Sequence, residues 1–221
     1  MTEQRQPVRI AINVMRTRLT VVGFNLAIIT FQLTEIRRLP GGVQLPNLDA
    51  SVHIEYDTVL LMGFGLSILA MICFTASSTV NHEGICTHWS LLAGDLLMYL
   101  GLAHSVSGFF SPLVQILAPV TLDPPNQMVE LETTRLAILI MGSCTWFCAT
   151  YIGPAVSLLR SPFGWRITTT LGVAYLVLLF SLSHVSAQAL RLEAARSATH
   201  ASSPTPALPA LLKELVQPLR W

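Results

Sequence analysis

The stretch from Thr58 to Asn81 reads TVLLMGFGLSILAMICFTASSTVN and contains no Asp, Glu, Lys or Arg. An α-helix rises about 1.5 Å per residue, so about 20 apolar residues cross the ~30 Å hydrocarbon core of a bilayer. Helices at the surface of soluble proteins keep a charged outer face. A charge-free run longer than that span therefore predicts a transmembrane helix here.

Further windows of the chain have the same property. Three of them are free of the four charged residue types, and they are Leu96 to Leu122, Leu136 to Leu159 and Ile167 to Leu190. A fifth window, Leu19 to Thr34, falls just short of the length that a span needs. Charged side chains at its two ends could still reach the membrane surface. The sequence thus contains four clear spans and a fifth candidate.

The composition agrees with this pattern. Of the 221 residues, 52% are hydrophobic and 11% are charged, whereas soluble domains carry about 25% charged residues. These values exclude a disordered chain, a disulfide-stapled secreted module and an ordinary soluble enzyme. The predicted fold class is all-α, a polytopic bundle of four to five transmembrane helices in the lipid bilayer.

The sequence divides into a bundle and a tail. The bundle is predicted over residues 1–190, with hydrophobic helices at about 17–36, 57–80, 90–119, 134–160 and 165–190. Beyond it the composition shifts to Ala, Ser, Thr and Pro, so residues 191–221 are predicted to form a flexible tail with a short amphipathic end. The first apolar run has no small-residue cleavage site after it, so we expect it to remain in the mature protein.

The number of spans is left open by two conflicting signals. Lys and Arg prefer the cytoplasmic side of a membrane. With five spans, the 13 basic residues divide almost evenly between the two sides, but with four spans most of them lie inside. The count of basic residues favours four spans with both termini cytoplasmic, whereas the hydrophobicity of the first segment favours five.

One face of the first helix carries a regular pattern. Arg9 and Arg16 lie two helical turns apart, and the same stripe continues through Thr20, Gly23 and Ala27. Small residues four positions apart allow a second helix to approach closely. We therefore predict a helix-packing face at these three small residues, headed by two guanidinium groups.

This segment resembles the first helix of the YidH-like family, small bacterial inner-membrane proteins of unknown function. That helix carries two Arg-Thr elements seven residues apart, then a Leu, and a run close to Gly-Phe-Gly-Phe. The matching residues here are Arg16, Thr17, Leu19, Gly23, Phe24 and Phe31, with Arg9 in the place of the first arginine. The chain departs from the family pattern at Val8, Ile10 and Val14. The resemblance implies a bacterial inner-membrane protein and an oligomer whose first helices gather arginines around an anion route.

Charged residues near the spans suggest an ion or anion route. Its candidates are Arg9, Arg16 and Asp95, because ionisable groups inside a membrane are costly and commonly functional. The alternative is structural. The arginines would hold the N-terminus in the cytoplasm and contact anionic headgroups, and Asp95 would be an interfacial carboxylate in contact with water.

Two histidines lie within the apolar windows. His104 and His184 could be axial ligands of a b-type haem. The alternative is that each packs or hydrogen-bonds between helices. No cofactor is predicted, and haem b remains open.

The absence of a catalytic motif in the sequence argues against an enzyme. It has no Walker loop, Gly-x-Ser-x-Gly or dinucleotide fingerprint. The expected function is a non-catalytic scaffold or accessory subunit of a larger plasma-membrane complex. The alternatives are a small-ion channel or transporter and a haem- or quinone-binding redox subunit. The expected partners are lipid and other membrane subunits or a second copy, but not nucleic acid, because the net charge is only +1.

Overall fold

The computed structural model describes residues 5–36, 43–44, 51–80, 88–117, 120 and 125–197, and positions 209, 212, 215 and 216 of the tail. Its elements are α1 (Arg5–Ile36), β1 (Val43–Gln44), β2 (Ser51–Val52), α2 (Ile54–Val80), α3 (Ser90–Leu117), α4 (Pro125–Phe147), a π-helical turn (Cys148–Ile152), α5 (Gly153–Leu159) and α6 (Trp165–Ser197). The two short strands pair antiparallel. The other described elements are helical, which confirms the predicted all-α fold.

In the part of the chain that the structure describes, five segments are long and apolar enough to cross a membrane. They are Val14–Ile36, Ile54–Thr79, Ser90–Val114, Met128–Leu159 and Trp165–Glu193. The fourth contains α4, the π-helical turn and α5 as one continuous span. The protein is therefore an integral, multi-pass membrane protein.

The outer surface of the bundle is apolar. Phe24 and Phe31 on α1 are 69% and 64% exposed, and large aliphatic side chains of the other helices are exposed as well. Extensive exposed apolar surface is unfavourable in water but matches hydrocarbon. These side chains are placed for contact with lipid.

The first helix packs along the bundle and runs parallel to α3. Arg18, near the start of α1, pairs with Asp95, near the start of α3. Eleven residues later in α1, Ile29 lies beside Gly63 of α2, and Gly63 also approaches His104 of α3. Since His104 lies nine residues after Asp95, the two helices advance together. This geometry fits five spans and does not fit a first segment lying flat on the membrane.

We name the two ends of the bundle from this arrangement. The near face is the end that holds Arg18 and Asp95, and the far face is the opposite end, where α2 begins at Ile54. The helices α1, α3 and α6 run from the near face to the far face. The remaining spans run in the opposite direction.

Close contact between α2 and α3 forms the centre of the bundle. A Cβ atom on Gly101 would lie only 2.9 Å from the Ser67 hydroxyl and 3.3 Å from the carbonyl oxygen of Gly63. The absence of side chains at these two glycines lets the two backbones approach closely. Asn25 of α1 donates a hydrogen bond of 2.8 Å to the same Ser67 hydroxyl. The three helices therefore meet at one buried polar contact.

Candidate functional site

At the near face, an ion pair joins α1 to α3. Arg18 donates two hydrogen bonds to Asp95, from Nε to Oδ1 at 2.5 Å and from Nη2 to Oδ2 at 2.7 Å. The guanidinium carbon also lies 6.0 Å from the centre of the Phe74 ring. Bidentate pairs of this kind are among the strongest charge-assisted hydrogen bonds. The pair explains how a carboxylate with a 9% exposed side chain is accommodated inside a span.

The ion pair borders a cavity of about 220 Å³, which we call the near pocket. The other side of this cavity is the end of α5 and the turn that follows it, with Ser157, Arg160 and Ser161. Apolar side chains from α3 and from this turn complete the lining. The near pocket is therefore amphipathic, with guanidinium and hydroxyl groups next to aliphatic walls.

The predicted ion route is only partly assembled by the structure. Arg16 is exposed and is not among the residues that line the near pocket, although Asp95 is. The side chain of Arg9 lies outside the described residues. The partner of Asp95 is instead Arg18. A signal for this pairing exists in the sequence, since each residue lies within about five positions of the start of its span.

A second polar cavity, the far pocket, lies between α2, α3, α4 and α6 and has a volume of about 40 Å³. Its polar lining includes His104, Ser107, Ser111, Thr150, Ser183 and Ser186. Glu55, in the first turn of α2, lines its far-face end. Along α3 the lining extends from Leu100 to Ser111, or about 16 Å at 1.5 Å per residue. The far pocket therefore reaches about half-way through a ~30 Å hydrocarbon core.

His104 is the titratable group in the interior of the far pocket. Its ring hydrogen-bonds the backbone of Leu100, one turn earlier in α3. Its Nε2 is buried and has no hydrogen-bond partner in the described part of the chain. In the neutral tautomer that carries its proton on Nδ1, the ring has a lone pair on Nε2. This nitrogen can accept a proton or a hydrogen bond from a group in the pocket.

Thr150 contributes a second buried polar atom without a partner. The residue is fully buried, and its Oγ1 has no hydrogen-bond partner among the described residues. It lies in the π-helical turn, and this turn is directly followed by Gly153 and Pro154. Proline lacks an N–H, so Pro154 cannot donate to the carbonyl of Thr150 four residues earlier. The hydroxyl of Tyr175 donates to this carbonyl instead, at 2.5 Å.

The sequence analysis does not predict this helix irregularity, although Pro154 lies within the apolar window Leu136 to Leu159 and interrupts its hydrogen-bond ladder. π-Helical turns inside α-helices occur frequently at functional sites. Here the turn brings Thr150 into the lining of the far pocket and places Tyr151 beside the tail. The deviation from α-helical geometry therefore lies at the deepest part of the cavity.

An apolar layer separates the two pockets. It consists of the buried residues Leu66, Leu96, Leu100, Tyr175, Leu179 and Leu215. Along α3 it occupies the five residues after Asp95, or about 7.5 Å. Two of its members, Leu100 and Leu179, also line the far pocket. The two polar regions therefore approach each other from opposite faces without joining.

The tail completes this layer. Leu215 is 9% exposed, and its carbonyl accepts a hydrogen bond from the hydroxyl of Tyr151. The sequence predicts a flexible tail with an amphipathic end. The structure places Leu215 of this tail against the bundle. Leu212, three residues earlier, is 51% exposed.

The far face is held together by Glu193 of α6. Its Oε2 accepts a hydrogen bond of 2.8 Å from the backbone N–H of Glu55, and its Oε1 lies 3.8 Å from Nδ1 of His53. A carboxylate at the start of α2 also interacts favourably with the helix dipole. Glu193 thus fixes the end of α6 against α2 and positions Glu55 beside the far pocket.

The two histidines predicted as haem ligands do not face one another. His104 is buried in the far pocket, whereas His184 is exposed on α6 and hydrogen-bonds Gln188 at 2.8 Å. Within the described residues, no group of three or more His, Cys, Asp and Glu side chains is arranged to hold a metal ion. This geometry gives the proposed haem pair no support.

The predicted packing stripe lies on the exposed side of α1. Thr20, Gly23 and Ala27 are all exposed, and no atom outside the helix backbone near Gly23 would lie within 4 Å of a Cβ there. Contact with the rest of the chain uses the opposite face, with Val22, Asn25, Ile29 and Gln32 buried. Packing of the stripe against another chain remains a prediction.

Comparisons with protein-family models, with curated proteins and with solved structures find no match for this chain. The candidate site therefore rests on its own chemistry. It comprises a satisfied ion pair at the near face and a partly unsatisfied hydroxyl- and imidazole-lined pocket at the far face, with one apolar layer between them.

Proposed function

We propose that this membrane protein transports protons between the two faces of the bilayer. The observation that carries the proposal is His104, a buried imidazole whose Nε2 has no partner among the described residues. It lies in a hydroxyl-lined pocket that extends half-way across the membrane. Chains of ionisable side chains inside membranes commonly relay protons. Histidine suits this role because one ring nitrogen of a neutral imidazole can accept a proton while the other donates one.

The lining of the far pocket favours a proton over a larger ion. Glu55 at the far-face end is its one carboxylate, and the deeper polar groups are hydroxyls and the imidazole of His104. A metal cation in the bilayer centre needs charged or multiple oxygen ligands, whereas a proton moves along hydrogen-bonded water and hydroxyl groups. A volume of about 40 Å³ accommodates two or three waters, since each requires about 10–15 Å³ by this measure.

The proposed route continues past the apolar layer to Asp95. Asp95 is an acidic residue of α3 and lies directly next to the layer, on its near-face side. Hydrophobic constrictions close membrane pathways by excluding water. Transport therefore requires a transient opening between Leu100 and Leu179, followed by proton exchange at the near face.

The proposal is tested by proton flux into liposomes that contain a pH-sensitive dye, driven by a potassium diffusion potential. We expect His104→Phe to reduce the flux about a hundredfold, the lower end of what a positioned acid–base group typically contributes. His184→Phe is the matched control, because His184 lies outside the far pocket, and its flux should equal that of the wild type. Equal flux in both variants, or wild-type flux at the level of protein-free liposomes, would contradict the proposal.

A second candidate is an oligomeric scaffold or accessory subunit of a bacterial inner-membrane complex. It is favoured by the open space around Gly23 on the exposed stripe of α1, and it agrees with the resemblance to the YidH-like family. Mild-detergent extraction should then recover the chain with itself or with other subunits, and Gly23→Leu should weaken this association. Recovery of a monomer alone would contradict this role.

A further inference from the structure

The near pocket combines features that a phosphate-bearing amphiphile requires. Its polar side carries Arg18 and Arg160 together with Ser157 and Ser161, and its apolar side includes Leu91. The two arginines and Asp95 leave a net charge of +1 among the lining residues. Basic pockets between transmembrane helices are known to bind the headgroups of anionic lipids.

The guanidinium of Arg18 is already oriented by its contacts within the chain. Its Nε and Nη2 bind Asp95, and the guanidinium also lies over Phe74. A planar guanidinium that is already oriented loses little side-chain entropy when it binds a further oxygen. Arg160, which is exposed, lines the opposite wall of the same pocket and carries a second positive charge.

The position of the pocket along the membrane normal suits a headgroup. Trp89 precedes α3 and Trp165 begins α6, and they are 49% and 81% exposed at this end of the bundle. Tryptophan is enriched at the level of lipid headgroups. The near pocket lies between these two helix starts, where a phosphodiester would lie, and acyl chains could continue along the apolar outer surface of the helices.

We infer that the near pocket binds the phosphate headgroup of an anionic membrane lipid, with Arg160 and Arg18 as the phosphate ligands. The acyl end of such a lipid would contact the aliphatic wall of the pocket. This inference concerns the near face alone and does not depend on proton transport.

The test measures lipid bound to the full-length protein after purification from vesicles of phosphatidylcholine with phosphatidylglycerol. Native mass spectrometry should find retained phosphatidylglycerol in the wild type. We expect Arg160→Ala to reduce this retention about tenfold, or about 1.4 kcal/mol, because one charge-assisted hydrogen bond to the phosphate is lost. Arg166→Ala is the matched control, since Arg166 is exposed beside the same turn but does not line the pocket.

Two further measurements decide the outcome. Thermal unfolding in phosphatidylcholine alone should be the same for both variants, which separates lost binding from lost folding. Excess inorganic phosphate should leave the phosphatidylglycerol in place, and its complete displacement would identify a free-anion site and overturn the lipid assignment. Equal retention in the two variants, or no preference of the wild type for phosphatidylglycerol, would also overturn it.

Discussion

Two polar regions of α3, nine residues apart, differ in how their polar groups are satisfied. At the near face, both oxygens of Asp95 accept hydrogen bonds from Arg18. In the far pocket, His104 Nε2 and Thr150 Oγ1 have no partner in the described part of the chain. Satisfied buried pairs hold a structure together, whereas unsatisfied buried groups cost free energy. We therefore expect loss of the ion pair to act mainly on stability, and loss of the far-pocket groups to act mainly on transport.

The comparison predicts its largest effect on stability when the near-face ion pair is removed. Arg18→Ala leaves the carboxylate of Asp95 buried and unpaired, so we expect the free energy of unfolding to fall by about 3 kcal/mol. Arg16→Ala, which changes an exposed arginine two positions away, should alter it by less than about 0.5 kcal/mol. Unfolding in mixed detergent micelles, followed by circular dichroism, measures both. Equal values for the two variants would remove the structural role of the pair.

A smaller effect on the free energy of unfolding is expected from a substitution at Gly94, next to Asp95. A Cβ atom there would lie 2.7 Å from the buried Phe74 ring, which supports the Arg18 guanidinium. We expect Gly94→Ala to destabilise the protein by about 2 kcal/mol, because overpacking displaces a side chain that has no room to move. Gly65→Ala is the control, since no atom lies within 4 Å of its Cβ position. The same unfolding assay would contradict the close packing if Gly94→Ala matched this control.

The smallest effect concerns the layer that keeps the two regions apart. Leu215→Asn puts a polar side chain among Leu66, Leu100 and Leu179, which should admit water and raise proton flux about threefold, or about 0.7 kcal/mol of barrier. The exposed Leu212→Asn should leave the flux unchanged. The liposome assay distinguishes them. If the two variants behaved alike, Leu215 would have no part in closing the route.

The spans were predictable from the sequence because they depend on local composition. Each charge-free window became a helix, and the first, shorter window gained length from polar residues that extend it to Val14. The π-helical turn directly precedes Gly153 and Pro154, but Pro112 lies inside α3 without such a turn, so a proline alone does not predict one. Helix positions in a membrane chain follow mainly from the cost of exposing backbone and charge to lipid.

The contacts between helices could not be predicted in the same way. Ser107 and Ser111 lie one turn apart on α3, and Ser183 and Ser186 do so on α6, but their meeting requires the rotation of both helices. The pairing of Arg18 with Asp95 required α1 and α3 to be parallel. Small residues likewise marked the exposed face of α1, while larger side chains, such as Ile29, pack inside the chain. Such choices depend on packing between distant segments, which a local pattern does not contain.

The central claim is that the far pocket holds water continuous with the far face. Side-specific labelling tests it most directly, in a variant whose four native cysteines are replaced. Silver ions, which are small, membrane-impermeant and thiol-reactive, should when added at the far face label Ser107→Cys and Ser183→Cys, but not Ser181→Cys, which lies on the exposed, lipid-facing side of α6. Labelling of the first two alone is the predicted result. Failure to label either of them, under conditions that label a loop cysteine, would contradict the account.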